Sequence, residues 1–340
     1  MSKKNINRSC FNLITCFLLL FILGCAASSR LPEKPTGEYV WPPPPDIPRI
    51  KWLTQWSNSK ASPLDVLIGE GVVHLLFRPN GVVSDKAGNV YVADSQLHKI
   101  FGFDTKKDNI RFLGEGTLSE PIGLAIDNKR EIIFVTDSRL DKVFGFDKNT
   151  GKIVNSFKII EKFNNPSGIV YDDARERLYV SDTKNNVVRV FDKDGKALFT
   201  IGKQRGQDDG EFNAPSYLAL DRNGRLYVVD TLNCRVQIFD PEGKFVRKFG
   251  RAGNTPGRFS RPAGIGVNSE GHIYVVDTAF SNFQIFNDEG KLLLWIGKAG
   301  TGAGEFSLPT GMYIDSEDII YVTDTFNKRV QVFQYLKEKK

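Results

Sequence analysis

One short phrase, repeated six times, constrains this chain more than any other feature of its sequence. It reads as an apolar strand, an Asp followed by Thr or Ser, a polar turn and a second apolar strand, as in the segment from Leu226 to Asp240. β-branched and aromatic runs bounded by turn-forming residues predict a β-hairpin. Successive copies are 43, 45, 48, 47 and 47 residues apart, so each hairpin is one part of a larger repeating unit. The repeated acids are Asp94, Asp137, Asp182, Asp230, Asp277 and Asp324.

Each repeating unit contains four strand-forming stretches. A Pro followed two residues later by Gly opens the first stretch, and Tyr217 is the one departure from that glycine. The hairpin provides the second and third strands, and an alternating stretch such as Phe245 to Phe249 is the fourth. A period of this length with four strands is typical of a β-propeller blade. The sequence therefore predicts an all-β protein, a six-bladed β-propeller of four-stranded blades.

The sixth unit lacks a fourth strand, because only a short charged stretch follows its third. The segment Ile50 to Trp56 alternates apolar and polar residues and belongs to no unit of its own. An open ring would expose sheet edges that invite aggregation. We therefore predict that Ile50–Trp56 completes the last blade from the other end of the chain, and that the propeller spans residues 49–336.

The repeated residues resemble NHL repeats. The Pro-x-Gly opening, the Tyr-Val-x-Asp-Thr strand end and the Val-Gln-Val/Ile-Phe strand recur from Pro79 to Phe333. The Trp-Pro-Pro-Pro-Pro segment before the ring is similar to that of bacterial six-bladed propeller lipoproteins of the same family. The resemblance implies a binding scaffold and no particular chemistry, since fold does not fix function.

Residues 1–24 resemble a lipoprotein signal peptide. Three basic residues precede an apolar run, Phe11 to Leu23, which is shorter than the roughly 20 residues of a membrane-spanning helix. The run ends in a Leu-Gly-Cys-Ala sequence that resembles a bacterial lipobox, with Leu23 where a small residue is more common. This implies lipid attachment at Cys25, and Ala26 after it implies sorting to the outer membrane. A plain signal peptide or an uncleaved anchor is the alternative.

Residues 25–48 are predicted to be a tether that holds the propeller off the membrane. Four successive prolines, Pro42 to Pro45, favour polyproline II, a semi-rigid spacer. A ligand for a proline-recognition domain is the alternative reading of this stretch. The predicted location is the cell envelope, lipid-anchored and extracytoplasmic, at the outer membrane or the periplasmic face.

The charge balance argues against nucleic acid as a partner. The chain carries +6, and removal of the signal peptide with its three basic residues leaves +3. Nucleic-acid binding requires a concentrated basic face, which a nearly balanced chain gives little reason to expect.

Catalytic and metal-binding patterns are scarce in this sequence. His74, His98 and His272 are scattered, without the repeat partners that a tetrahedral zinc site needs. The sequence also lacks a Ser-His-Asp signature, a phosphate-binding loop and a dinucleotide fingerprint. Cys234 reads as a small turn residue. We predict no catalytic residue, no metal and no cofactor. Because some NHL relatives are zinc-dependent lyases, a metal-dependent hydrolase or lyase acting at the propeller channel is the alternative function.

The turn between the second and third strands of a propeller blade lies on the same face as the loops that join the blades. The six aspartates therefore form a ring near this face. Each is predicted to accept hydrogen bonds from its own turn, and a cation or substrate site is the alternative. Phe212, Phe259 and Phe306 recur as Gly-x-Phe and are predicted to plug the core between blades.

Positions that vary between blades on this face are the better candidates for recognition, because mixed aromatic and arginine side chains suit protein and polymer partners. The predicted function is a lipid-anchored, non-enzymatic scaffold that binds a protein or a polysaccharide there. An accessory of an envelope complex, inert by itself, is a third hypothesis. The candidate partner-binding residues are Arg139, Lys184, Arg205, Leu232, Asn233, Arg258, Arg261, Phe280, Phe326 and Lys328.

Overall fold

The computed structural model describes residues 38–57, 75–107 and 109–337. The predicted signal peptide, Cys25, most of the tether and His74 lie outside these ranges. The chain divides into two compact units, Met1–Glu38 and Tyr39–Lys340, and the fold described below is that of the second. Within the described ranges, no helix has the length and apolar character needed to cross a membrane.

The second unit consists of six antiparallel sheets, each of which contains one repeat. Within its described residues, the regular structure besides the strands is two single 3-10 turns, at Thr183–Asn185 and Thr231–Asn233. The first strands, each beginning at the proline of the repeat, are β3 (Pro79–Ser84), β7 (Pro121–Asp127), β10 (Pro166–Asp172), β14 (Pro215–Leu220), β18 (Pro262–Val267) and β22 (Pro309–Ile314). The second strands, each ending at the repeated aspartate, are β4 (Val90–Asp94), β8 (Ile132–Asp137), β11 (Arg177–Asp182), β15 (Leu226–Asp230), β19 (Ile273–Asp277) and β23 (Ile319–Asp324).

The remaining strands lie further from the ring axis. The third strands are β5 (Lys99–Asp104), β9 (Lys142–Asp147), β12 (Val187–Asp192), β16 (Arg235–Phe239), β20 (Asn282–Phe286) and β24 (Arg329–Tyr335). The outer strands are β6 (Asn109–Leu113), β13 (Ala197–Ile201), β17 (Phe245–Phe249), β21 (Leu292–Ile296) and β2 (Ile50–Trp56), with a short additional strand β1 (Val40–Trp41) beside β2.

The first strands contact one another in sequence, and β22 of the last blade contacts β3 of the first, which closes the ring. The glycine of the Pro-x-Gly opening lies where neighbouring blades approach most closely. A Cβ atom at Gly311 would collide with the carbonyl oxygen of Asn80, and one at Gly123 with that of Ser167. At these two positions the repeated glycine therefore has a steric cause, since a side chain would clash with the backbone of the next blade, whereas blade 4 accommodates Tyr217 at the same repeat position.

The N-terminal strand closes the sixth blade, as the sequence predicts. Strand β2 pairs antiparallel with β24, with Ile50 opposite Tyr335 and Trp56 opposite Val330. The Trp52 indole also donates a hydrogen bond of 3.1 Å to the Oε1 atom of Gln331. This pairing covers the edge of β24 that would otherwise be exposed.

The chain before β2 differs from the predicted tether. Strand β1 pairs with β2, and the prolines from Pro42 to Pro45 form a turn between them rather than a polyproline II spacer. Residues 39–48 therefore belong to the propeller unit, and the sixth sheet has five strands.

The second blade is also different, because its sheet has three strands. Its fourth segment makes an isolated bridge between Ile153 and Phe146. Phe157 from this segment is nevertheless buried, with its ring 4.6 Å from that of Phe134. This fourth segment is therefore attached to its blade mainly by the buried Phe157 side chain. The fourth strands of the other blades are attached by a ladder of backbone hydrogen bonds.

The core lies between consecutive blades, where side chains of both faces meet. Phe212, Phe259 and Phe306 are fully buried there, which confirms that they are core residues. The Phe212 ring is 5.6 Å from the ring of Phe239, and Phe259 is 5.6 Å from Phe286. Each of the three thus anchors the loop that joins its blade to the next.

Candidate functional site

The six repeated aspartates are fully buried and bind backbone. In each blade the carboxylate accepts a hydrogen bond of 2.6–2.8 Å from a backbone N–H of the loop that leads into that blade, as from Phe77 to Asp94 and from Ser307 to Asp324. In the first blade Asp94 also accepts bonds from Gln96 and Leu97 in its own turn. The carboxylates therefore tie the turns to the inter-blade loops and do not face solvent.

The residue after each aspartate joins neighbouring blades where it is threonine. Thr231 donates a hydrogen bond of 3.1 Å to the Pro262 carbonyl, and Thr325 donates one of 2.8 Å to the Pro79 carbonyl. Thr183 and Thr278 make the same bond to the next blade. The first two blades have serine instead, and each serine hydroxyl lies 3.4 Å from a carbonyl of its own blade.

Glutamine on the third strand secures the long inter-blade loops of blades 4 to 6. Gln237 accepts a bond from the Gly210 N–H and donates to the Glu211 carbonyl. Gln284 and Gln331 repeat this arrangement with the next two loops. The repeated glutamine carries this signal, but its role depends on loop residues 26 or 27 positions earlier that only the structure places beside it.

Arginine strengthens the same loops in blades 4 and 6. Arg235 pairs with Asp230 at 2.8 Å, and Arg329 pairs with Asp324 at 2.7 Å. Each guanidinium also donates to three backbone carbonyls of the adjacent loop. In blade 5 the equivalent residue is Asn282, whose buried Oδ1 atom has no hydrogen-bond partner among the described residues. The turns and inter-blade loops, which we call the Asp-turn face, thus rest on a rigid hydrogen-bonded layer.

Most of the predicted partner-binding residues are accessible on the Asp-turn face. Leu232 and Phe326 are 62% and 65% exposed, which is unusual for large apolar side chains. Arg139, Lys184, Arg205 and Arg261 are also exposed, whereas Arg258, Phe280 and Lys328 are half-buried.

Asn233 differs from the other candidates, because its amide is already engaged. It donates hydrogen bonds of 2.8 Å to Asp230 and to the Gly206 carbonyl. Phe77 is a further exposed aromatic residue on this face, which the comparison of blades in the sequence does not indicate. The ammonium group of Lys328 lies 4.5 Å from the centre of its ring.

The basic side chains of the Asp-turn face differ in whether they have an acidic partner. Arg139 lies 3.7 Å from Glu120. Within the described part of the chain, Lys184, Arg205 and Arg261 form no ion pair. Exposed arginines beside exposed aromatic and aliphatic side chains are the combination enriched at the centre of protein interfaces.

The central channel is narrow and has a mixed lining, in which Asn128, Tyr171 and Asp173 accompany the apolar residues. The first strands line a cavity of about 180 Å³ with residues such as Val82, Leu124, Ile169 and Met312. Tyr217, at the position that is glycine in the other blades, lies half-buried in this channel, where desolvation raises the pKa of its hydroxyl. Asp173 is the one acid of the described lining, which contains no histidine or cysteine, so the wall lacks the three protein ligands typical of a catalytic zinc site.

The histidines and the cysteine lie in separate places. The ring of His98 hydrogen-bonds to the Ser119 carbonyl on the Asp-turn face, whereas His272 lies at the start of β19 on the opposite face. Among the described residues, no three His, Cys, Asp or Glu side chains are grouped as metal ligands. Burial raises the pKa of the Cys234 thiol, which keeps it in its unreactive protonated form.

Comparison with known proteins agrees with this architecture. A family profile described as a 6-bladed beta-propeller matches residues 218–279 and 267–339, and the NHL repeat profile matches residues 163–191. A search of curated protein sequences found no match.

Several solved structures share the fold at low sequence identity. A streptogramin B lyase is 13% identical with a TM-score of 0.57, over 76% of this chain and 93% of its own. An auxiliary nutrient binding protein from Bacteroides thetaiotaomicron is 16% identical with a TM-score of 0.61, over 77% of this chain and 70% of its own. At such identities the likeness shows the fold alone. The sheet order and the closed ring, together with the two profile matches, identify this chain as a six-bladed β-propeller that carries an NHL repeat at residues 163–191.

Proposed function

We propose that this chain is a lipid-anchored, extracytoplasmic, non-enzymatic scaffold whose Asp-turn face binds a partner protein. One observation carries the proposal: exposed Leu232, Phe326 and Phe77 share that face with exposed Lys184, Arg205 and Arg261, which form no ion pair among the described residues. Isolated exposed apolar residues are ordinary, but their combination with Arg on one face is typical of interfaces. The positive charge favours a partner with an acidic surface, which would be attracted at long range.

The rigid layer below the face supports a binding role. Turns held by buried aspartates, and loops held by Gln237 and Arg235, are fixed by hydrogen bonds within the chain itself. Binding then costs little conformational entropy, because few side chains and no loop must be ordered. A protein partner is favoured over a polysaccharide, since the exposed side chains include large aliphatic groups.

Solved neighbours include both a binding protein and a lyase, so the fold does not decide between the two functions. The metal-dependent alternative would need several ligands in the channel, where Asp173 is the one acid of the described lining and no histidine or cysteine accompanies it. No observation on the described residues favours it.

The anchor is part of the same proposal. The Leu-Gly-Cys-Ala sequence would place the lipid on Cys25, 14 residues before the propeller unit begins at Tyr39. Substitution Cys25→Ser is expected to release the chain from the membrane fraction. Equal membrane retention of that variant would contradict the anchor but leave the partner-binding face untouched.

The partner proposal is tested by crosslinking in intact cells followed by mass spectrometry of the purified complex. The variants Phe326→Asp and Arg261→Glu should lose a crosslinked protein that the unchanged chain retains. Leu198→Asp is the matched control, because Leu198 is an exposed apolar residue on the outer strand of blade 3. Loss with all three variants, or with none, would refute recognition by the Asp-turn face.

A further inference from the structure

A large cavity lies between the fifth and sixth blades, near the turns that join first and second strands, on the face opposite to the Asp-turn face. Its volume is about 760 Å³, within the range of ligand pockets. The N-terminal turn forms one wall with Pro42 and Ile47, and the outer strand of blade 5 forms the other with Leu293 and Leu294. We call it the 5–6 cavity.

The equivalent position between blades 4 and 5 is occupied by charged side chains. There Arg225 binds Asp221 at 2.6 Å and reaches Asp288 of the next blade at 2.9 Å. In blade 5 the residues at the same repeat positions are Asn268 and His272. A shorter, uncharged pair replaces the bridge between blades, and the space that the guanidinium would fill is left open.

The polar end of the 5–6 cavity is formed around His272. The Asn268 Oδ1 atom accepts hydrogen bonds from the backbone N–H groups of Glu270 and His272, which turns the amide nitrogen toward the imidazole. That nitrogen lies 3.2 Å from Nδ1 of His272 and donates to it. The imidazole proton is therefore on Nε2, and burial lowers the pKa of His272 and keeps the ring neutral. Nε2–H has no hydrogen-bond partner among the described residues.

Two charged groups accompany this donor. Arg49 also lines the cavity, and its positive charge acts on the His272 imidazole. Glu270 is the acid of the cavity, and its Oε2 atom accepts a hydrogen bond of 2.6 Å from the Tyr335 hydroxyl. A cation, an N–H donor and a hydrogen-bonded carboxylate thus line the same cavity.

The other end of the cavity is apolar and accessible. Leu293 is 50% exposed and Ile47 is 72% exposed, on opposite walls. Together with Leu294 they offer apolar surface to an aliphatic chain or a ring.

We propose that the 5–6 cavity binds an amphipathic monocarboxylic acid, with its carboxylate on His272 Nε2–H and Arg49 and its apolar body between Leu293 and Ile47. This site is independent of the proposed partner-binding face. Charge-assisted hydrogen bonds supply the preference for the acid, and burial of apolar surface supplies the remaining affinity.

The test is titration of the purified full chain with octanoate and with 1-octanol, followed by saturation-transfer NMR. Octanoate is expected to bind saturably and about ten-fold more tightly than octanol, the effect of one charge-assisted hydrogen bond. His272→Leu should weaken octanoate about ten-fold and leave octanol unchanged. Glu270→Gln should tighten octanoate, because it removes the like charge.

Blade 4 provides the matched control for the apolar wall. Val246 occupies the position of Leu293 on the preceding outer strand and is similarly exposed, at 42%. Leu293→Asp should abolish octanoate binding, whereas Val246→Asp should leave it unchanged. Equal binding by the two variants, or no saturable binding by the unchanged chain, would overturn the site. Equal affinity for octanoate and octanol would overturn the carboxylate specificity.

Discussion

Replacement of Arg329 by Met should cost more stability than any other single change on the Asp-turn face. Arg329 is buried and donates to the Asp324 carboxylate, to the carbonyls of Thr301, Gly302 and Glu305, and to the Gln55 side chain on the closing strand. Met fills a similar length but provides no donor. The substitution therefore leaves a buried carboxylate without its cation.

The expected loss is about 3–5 kcal/mol, the cost of breaking a buried ion pair by removing one partner. Burial already raises the pKa of the Asp324 carboxyl, and the charge of Arg329 is among the effects that lower it. Without Arg329 that pKa rises further, so protonation favours the folded variant. The loss should therefore be smaller at pH 4 than at pH 7, because a carboxyl with a raised folded pKa gains stability as the pH falls through that value.

Chemical denaturation of the Arg329→Met variant, monitored by tryptophan fluorescence, measures this loss. The double variant Asp324→Asn/Arg329→Met should recover part of the stability, because it removes the unpaired charge. The reverse change in blade 5, Asn282→Arg, should stabilise the protein by about 1–2 kcal/mol by supplying the missing donor. A loss below about 1 kcal/mol for Arg329→Met, or a loss that is the same at both pH values, would refute the reasoning.

Three further predictions concern the ring and the 5–6 cavity. Deletion of residues 49–56 should expose the edge of β24 and cause aggregation in light scattering, and an unchanged melting temperature would contradict closure by this strand. Thr325→Val removes a hydrogen bond between blades and should cost about 1 kcal/mol in chemical denaturation. Ser138→Ala, where the hydroxyl bonds weakly within its own blade, should cost clearly less. Because burial lowers the pKa of His272 below 6.5, neutral His272 favours folding above pH 6.5 and this contribution is lost as the pH falls through that value. His272→Gln should flatten the dependence of stability on pH between 7 and 5, and an unaltered slope would show that burial of His272 is not the cause.

The sequence alone was enough to predict the ring and how it closes. Alternation in each strand has a period of two and depends on immediate neighbours, and the turn chemistry of Asp-Thr is equally local. Six copies of that local pattern add up to six blades. The sequence also shows that the sixth repeat lacks a fourth strand and that the strand Ile50–Trp56 belongs to no repeat.

The layer below the Asp-turn face could not be predicted in the same way. Variation between blades predicts that Asn233 is a recognition residue, yet its amide donates to the carbonyl of Gly206, 27 residues earlier. Arg235 and Gln237 act on loops at comparable distances along the chain. Such contacts depend on where a loop folds back, which no local period encodes.

The 5–6 cavity was decided by tertiary structure alone. In the sequence, Asn268 and His272 are two ordinary polar residues at a strand entry. They leave space for a cavity because they are shorter than Arg225, which fills the same place in the neighbouring blade. The N-terminal turn, which the closing strand brings against blade 5, forms the opposite wall. The repeat pattern determined the ring because identical units must pack identically. The cavity exists where two of those units meet with unlike side chains, and only the folded chain brings those side chains together.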